Sequence, residues 1–181
     1  MKRIAETSPS PRARITGVVY LFYFLMTVSA QFFVGRFVVY DAANLIANMC
    51  YIVLTILFYY MFKPVNRRLS LLAALFSIAG CIIGILDLFH LAPSGISPLA
   101  FFGPYCIFLG YLIFRSGFLP RILGVLMVFA GLGWLTFMSP LAKYLSTYIM
   151  ALGILAEGLL MLWLVLKGVN VQRWKERAGK T

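Results

Sequence analysis

The chain has 181 residues, of which 62% are hydrophobic and only 12% are charged. Soluble domains contain roughly 45–50% apolar residues and roughly 25% charged residues. A soluble domain of this composition would lack the polar atoms to cover its surface. Composition therefore excludes an ordinary cytosolic enzyme, a secreted disulfide scaffold and a disordered chain, and it predicts a polytopic membrane protein.

Six apolar runs of 18 to 24 residues follow one another along the chain, and a single charged residue, Glu157, interrupts them. A membrane-spanning helix needs about 20 such residues, and the runs lack the ten-residue alternation of a membrane barrel. The runs predict an all-α bundle of six transmembrane helices. We expect a disordered cytoplasmic N-terminus over 1–14, a transmembrane domain over 15–167 and a basic cytoplasmic tail over 168–181. The helices are expected near 15–35, 41–62, 69–91, 98–114, 121–138 and 145–166.

The basic residues are distributed unevenly between the two ends of these helices. The net charge is +11, and fourteen of the sixteen Lys and Arg residues fall on the side that carries both termini. The other side holds only Arg36 and Lys143. The positive-inside rule then predicts that both termini are cytoplasmic. The bases flank apolar runs, so the expected partners are the bilayer and the anionic lipids of its inner leaflet rather than nucleic acid.

The first apolar run has a second interpretation. Val28-Ser29-Ala30 follows a basic segment, as at the cleavage site of a signal peptide. The apolar run continues past this tripeptide through Val34, which favours an uncleaved first helix.

The predicted helices and the segments between them follow a repeated pattern. The six predicted helices form three hairpins in parallel orientation, and the segment Lys63-Pro-Val-Asn66 is similar to Lys167-Gly-Val-Asn170.

Glycine recurs every seven residues in the fourth and fifth helices, and a G-x-x-x-G pair occurs in the third. Small residues allow close approach of helices in lipid. We expect these glycines to lie at helix contacts, with a homo-oligomer through glycine-rich faces as the alternative. The glycines concerned are Gly80, Gly84, Gly103, Gly110, Gly117, Gly124 and Gly131.

Glu157 is the one acidic residue expected near the middle of the membrane. It lies ten residues before Lys167, which is about 15 Å from the inner edge. A carboxylate at this depth costs about 2.5–3.5 kcal/mol on insertion scales, so it should face the bundle. It is interpreted either as a proton or cation site or as a structural acid that hydrogen-bonds a neighbouring helix.

A polar stripe runs along one face of the second helix over four turns. We expect Glu157 to meet this stripe, with Gln31 of the first helix extending the cluster outward. The stripe could serve hydrogen bonding between helices, or it could line a hydrated cavity open to the outer side. Its members are spaced i, i+3, i+7, i+10 and i+14, and they are Asp41, Asn44, Asn48, Tyr51 and Thr55.

Asp87 and His90 are three residues apart near the outer end of the third helix, so they are expected to share a face. An interfacial ion pair is the first interpretation, and a catalytic pair with Ser94 or Ser97 is the second. No metal site is expected, because the chain has one His and its three Cys residues form no C-x-x-C pair. No cofactor is expected either, since the chain contains no glycine-rich phosphate loop and no Lys in the middle of a helix.

One stretch, Leu109-Gly-Tyr-Leu-Ile-Phe-Arg-Ser-Gly-Phe-Leu-Pro-Arg-Ile-Leu-Gly124, is distinctive. Together with Ala130-Gly-Leu-Gly-Trp134, Glu157-Gly-Leu-Leu-Met-Leu-Trp163, Lys63-Pro-Val-Asn-Arg67 and the Asn44/Asn48 pair, it resembles the bacterial membrane family catalogued as domain of unknown function 4386. The resemblance covers most of the chain after Ile15. It implies a multi-pass protein of the bacterial inner membrane, and it brings no known activity.

Three functional hypotheses remain open from the sequence. The first is non-enzymatic binding or passage of a small polar or amphiphilic solute in the outer half of the bundle. The candidate residues for this pocket are Gln31, Asp41, Asn44, Asn48, Tyr51, Asp87, His90 and Glu157. The second hypothesis is a structural or accessory membrane subunit. The third, which we favour least, is an intramembrane enzyme that uses Asp87, His90 and Glu157.

Overall fold

A computed structural model describes residues 9–33, 37–93 and 96–179 of the chain. This part of the protein is all-helical, as the sequence predicts, and contains seven α-helices. Their bounds are α1 Pro9–Gln31, α2 Phe37–Phe62, α3 Arg67–Leu88, α4 Leu99–Ser116, α5 Arg121–Thr136, α6 Ala142–Leu166 and α7 Val171–Ala178.

Five of these helices, α1 to α4 and α6, are long and apolar enough to cross a membrane. The helix α5 has 16 residues and is shorter, at about 24 Å against a hydrocarbon core of about 30 Å. It ends at Thr136, two residues before its expected end, where the backbone tightens into successive turns up to Ala142. Six helices therefore appear where six were expected, although only five have the length of a typical span.

The N-terminal boundary differs from the expectation. The helix α1 begins at Pro9 rather than at residue 15, so residues 9–14 continue the helix. Proline at the first helical turn lacks an N–H that would have no partner there, which suits this start. The predicted disorder over residues 1–8 and the predicted outer position of Arg36 concern residues outside the described part.

The helices α1 to α6 form a closed ring. Each packs on its neighbours in sequence, and α1 also packs on α6. The ring has a buried centre of large apolar and aromatic side chains, including Leu54, Tyr105, Leu109 and Leu160. Its outer surface carries many exposed apolar side chains, as expected for helices that face lipid.

The glycine spacing is explained by the contact between α4 and α5. A Cβ placed on Gly110 would lie 2.6 Å from the Gly124 carbonyl oxygen, and one on Gly131 would lie 2.6 Å from the Gly103 oxygen. Side chains at these positions would therefore force the two backbones apart. The prediction that these four glycines face other helices is confirmed, and the contact they serve lies within one chain.

The other expected glycines divide into two kinds. Gly80 faces the ring of Phe102, and Gly84 faces the side chain of Asn48, so the G-x-x-x-G pair also packs inside the chain. Gly117 ends α4 with φ +73°, a left-handed conformation that glycine adopts without strain. Its place in the seven-residue series therefore serves a turn rather than a helix contact.

The similar segments at 63–66 and 167–170 have the same structural role. Each ends in an asparagine that caps the following helix: the Asn66 side chain accepts a hydrogen bond from Leu69 N at 3.0 Å, and Asn170 accepts one from Arg173 N at 3.1 Å. Asparagine is among the best N-cap residues. Helix capping is sufficient to explain the similarity at these two positions.

The basic tail folds back on the bundle as α7. The Trp174 indole N–H donates to the Met61 carbonyl at the end of α2, at 3.0 Å. The Arg173 guanidinium donates to the Gly117 carbonyl after α4, also at 3.0 Å. Basic side chains are favourable at carbonyl-rich helix ends. The short helix α7 thus lies at the same end of the ring as the ends of α2 and α4.

Candidate outer cleft

A cleft of about 260 Å³ opens between α1, α2, α3 and the start of α4. It lies at the opposite end of the ring from α7, because it is lined by the second half of α1, the first half of α2 and the last turns of α3. Its polar lining comes from Thr27, Asn44, Asn48 and Asp87. We call this space the outer cleft.

The two asparagines use only part of their hydrogen-bonding capacity. The Asn44 amide donates to the Tyr40 carbonyl at 2.8 Å, and the Asn48 amide donates to the Asn44 carbonyl at 3.0 Å. Both bonds stay within α2, so neither side chain bridges two helices. The two side-chain carbonyl oxygens accept no hydrogen bond from the described residues, and they remain available to a ligand.

Aromatic rings form a wall of the outer cleft. The Tyr51 ring centre lies 4.8 Å from that of Tyr23 and 5.2 Å from that of Phe102, both in edge-to-face arrangements. Tyr40 also lines the cleft. Edge-to-face packing holds such rings in defined positions, which gives the cleft a rigid inner surface.

Glu157 lies behind this wall. Its carboxylate accepts a hydrogen bond from the Tyr20 hydroxyl at 2.9 Å, and both side chains are buried. The Tyr20 ring is edge-on to Tyr51 at 6.4 Å and tilted against Tyr23 at 6.0 Å. Tyrosine rings thus separate the buried acid from the outer cleft.

Glu157 was expected to meet the stripe of α2 within hydrogen-bond or one-water reach, whereas its direct hydrogen bond goes to α1. The bonded hydroxyl belongs to α1, because α1 packs between α2 and α6 in the ring. The Tyr20 ring, whose hydroxyl bonds to the carboxylate, also packs edge-to-face against Tyr51 of the stripe. The buried Tyr105 hydroxyl lies in the same region, and it has no hydrogen-bond partner among the described residues.

The deep end of the stripe serves helix packing. The hydroxyl oxygens of Thr55 and Ser77 are 2.5 Å apart across α2 and α3, and Thr55 also donates to the Tyr51 carbonyl at 2.8 Å. Both side chains are buried. At this level the interhelical hydrogen-bond interpretation is the correct one, whereas at the level of the asparagines the stripe faces the outer cleft.

The expected site residues therefore fall into three groups. Four of them line the outer cleft, and Glu157 lies behind its wall. The remaining three do not line it: Gln31 is exposed at the end of α1, Asp41 is half-buried one turn beyond the asparagines, and His90 is exposed. The four that the structure brings together are Asn44, Asn48, Tyr51 and Asp87.

The expectation that Asp87 and His90 share a helical face was wrong. The helix α3 ends at Leu88, and His90 adopts φ +57°. The His90 N–H donates to the Asp87 carbonyl at 3.0 Å, and the Leu91 N–H donates to the Leu86 carbonyl at 2.8 Å. These two bonds form a Schellman motif with His90 at the position that glycine usually occupies. His90 therefore lies beyond the end of α3, where the i, i+3 spacing of a helix no longer applies.

The enzyme hypothesis receives no geometric support. Over the described ranges, no three His, Cys, Asp or Glu side chains approach closely enough to hold a metal ion. Asp87 and His90 lie at the C-terminal end of α3, while Glu157 is enclosed near Tyr20. The three residues that this hypothesis combines are therefore not assembled.

Sequence reasoning missed the contribution of α1. Tyr20, Tyr23 and Thr27 are spaced i, i+3 and i+7, so they share one face of the helix. This face supplies the partner of Glu157 and one side of the outer cleft. The spacing was available in the sequence as a polar and aromatic stripe that parallels the stripe of the second helix.

Comparison with known proteins supports the resemblance. The family model described as a domain of unknown function, DUF4386, matches residues 35–94 and 94–168. An uncharacterized protein from Archaeoglobus fulgidus is 33% identical over 119 residues, covering 61% of this chain and 72% of that protein. No solved structure matches the chain. Because the family model matches more than half of its length, the chain belongs to the DUF4386 family, whose function is unknown.

Proposed function

We propose that this chain is a multi-pass membrane protein that binds or passes a small polar or amphiphilic solute through the outer cleft. The observation that carries the proposal is the unused polarity of Asn44 and Asn48, whose amides bond only to their own helix. Polar side chains are expensive within a bilayer, and they usually serve packing or function. Thr55 and Ser77 account for packing between α2 and α3, so the asparagines are left for a ligand.

The proposed topology has six crossings with both termini in the cytoplasm. Two observations support it: the sequence assigns fourteen of the sixteen basic residues to the side that carries both termini, and α5 takes a full place in the ring between α4 and α6. A short span is accommodated by local thinning of the bilayer. In this orientation the outer cleft opens to the side opposite the cytoplasm.

The proposed setting is the cytoplasmic membrane of a bacterium, with α7 at the inner surface. Arg173, Lys175 and Arg177 are exposed on α7, and Trp174 joins it to the bundle. Basic residues at this level attract anionic lipid headgroups. The lipid contact would thus lie at the opposite end from the proposed solute site.

The test compares molecules that co-purify with three forms of the protein extracted in mild detergent. Gly84→Leu places a side chain against Asn48, inside the outer cleft, whereas Gly158→Leu is a matched control at a helical glycine with open space around it. Mass spectrometry of the released small molecules should find a compound with the wild type and the control that is missing from Gly84→Leu. Identical compounds in all three preparations would contradict solute binding in the cleft.

A further inference from the structure

The charge of the outer cleft has one sign. Among the described residues that line it, Asp87 is the only charged one, and no Lys, Arg or His accompanies it. Asp87 is also exposed, so its carboxylate lies at the mouth where a solute would enter. The lining therefore attracts cations and repels anions.

The position of Asp87 has no structural explanation within its helix. It lies in the last turn of α3, which ends at Leu88. Negative charge is unfavourable at a helix C-terminus because the carbonyl groups there already carry partial negative charge. Asp41, the fifth residue of α2, lies beyond the first turn and far from the C-terminal carbonyl groups, so its helix does not disfavour it. Of the two acids near this end of the ring, Asp87 is the one in a position that its own helix disfavours.

The remaining lining suits an ammonium group attached to a short apolar body. The Asn44 and Asn48 side-chain oxygens can accept N–H hydrogen bonds, and the rings of Tyr51 and Phe102 present aromatic surface to the same space. Cations bind favourably near such rings. The volume of about 260 Å³ is below the roughly 300–1,000 Å³ typical of sites for drug-sized ligands, so the ligand must be small.

We infer that the outer cleft selects a small organic cation, a protonated alkylamine, through Asp87, the two asparagine oxygens and the aromatic wall. This inference rests on the proposed function and names the class of solute. Asp87 supplies the charge, the asparagines orient the ammonium group, and the aromatic rings contact the alkyl chain.

The experiment uses three probes of similar size and different charge: butylammonium, butanol and butyrate. Their binding to the purified full chain in neutral detergent is measured by saturation-transfer NMR. Butylammonium should bind about tenfold or more tightly than butyrate, as expected for a site with one uncompensated carboxylate. The cleft-filling variant Gly84→Leu should abolish binding, and Gly158→Leu should retain it.

Asp87→Asn tests the role of the carboxylate. This variant should lose about tenfold or more of its butylammonium affinity, and it should unfold no more easily than the wild type because it removes an unfavourable charge from the end of α3. Glu176→Gln is the matched control, since Glu176 is exposed on α7 at the other end of the ring. It should leave the affinity unchanged.

The outcomes separate the inference from the proposed function. The wild type could bind butanol or butyrate in place of butylammonium, and Gly84→Leu could lose that binding. This result would overturn the cation selectivity and leave solute binding in the cleft intact. Equal butylammonium affinity in Asp87→Asn and the wild type would also overturn it. If none of the three probes binds, or if Gly84→Leu binds them as the wild type does, both the inference and the proposed site are wrong.

Discussion

Replacing Gly124 by alanine should destabilise the contact between α4 and α5. A Cβ at this position would lie 2.5 Å from the Gly110 carbonyl oxygen and 2.8 Å from the Phe114 nitrogen, both of which are backbone atoms. Ordinary van der Waals contact begins near 3.4 Å, so the two helices must separate by about 1 Å. Overpacking of this kind costs about 1–3 kcal/mol. Alanine regains about 1 kcal/mol of helix propensity over glycine, which leaves a net loss of up to about 2 kcal/mol.

The assay is reversible unfolding of the purified protein in mixed detergent, followed by circular dichroism. Gly158→Ala is the matched control because no atom lies within 4 Å of a Cβ placed there, so this variant should gain up to about 1 kcal/mol from propensity alone. The two alanine variants are therefore expected to shift stability in opposite directions. A Gly124→Ala protein as stable as Gly158→Ala would refute the proposed role of the seven-residue spacing.

Three further predictions concern the buried acid, the end of α3 and the topology. Glu157→Gln keeps an oxygen that accepts a hydrogen bond from the Tyr20 hydroxyl, so this variant should unfold like the wild type. Glu157→Leu should lose about 1–3 kcal/mol of unfolding free energy in the same assay. Equal stability of Glu157→Leu and the wild type would show that the hydrogen bond is unimportant. His90→Gly should raise stability by about 0.5–1 kcal/mol, because glycine adopts the positive φ of this residue without strain, and a loss of stability would indicate that the imidazole makes a contact of its own. A reporter that is active only in the periplasm should be silent when fused after Thr181, and an active fusion would reverse the proposed orientation.

The helices α1 to α6 could be predicted from the sequence because each one coincides with an apolar run, whereas the polar helix α7 was not predicted. Their ends were less predictable. His90 illustrates the reason: it terminates α3 in a left-handed conformation, and a histidine gives no signal of the kind that glycine does. The end of α5 at Thr136 was similarly hidden, because the residues that follow it remain apolar.

The outer cleft was predictable in part for a different reason. Helical spacing showed that Asn44, Asn48 and Tyr51 share a face, and this face does line the cleft. Spacing along one helix does not identify the neighbouring helix, which depends on the order of helices around the ring. The partner of Glu157 was for this reason assigned to α2 rather than to Tyr20 of α1.

The glycine series shows the same limit. The spacing correctly indicated close helix contacts, and it did not distinguish contacts within a chain from contacts between copies. In the structure the backbones of α4 and α5 meet at Gly110 and Gly124, and α3 uses Gly84 against Asn48. These glycine faces are occupied by neighbouring helices of the same chain.

Water access to the outer cleft tests the central claim most directly. Asn48→Cys and Met49→Cys are compared in intact membranes on a Cys50→Ala background, by the rate of reaction with a charged, membrane-impermeant thiosulfonate added from outside. The two positions are adjacent in α2, but Asn48 lines the cleft whereas Met49 is an exposed apolar residue on the outer surface of the ring. Thiol reactivity requires the thiolate, which forms in water and not in hydrocarbon. The account predicts rapid labelling of Asn48→Cys and little labelling of Met49→Cys. Equal labelling rates at the two positions, or labelling of Met49→Cys alone, would contradict it.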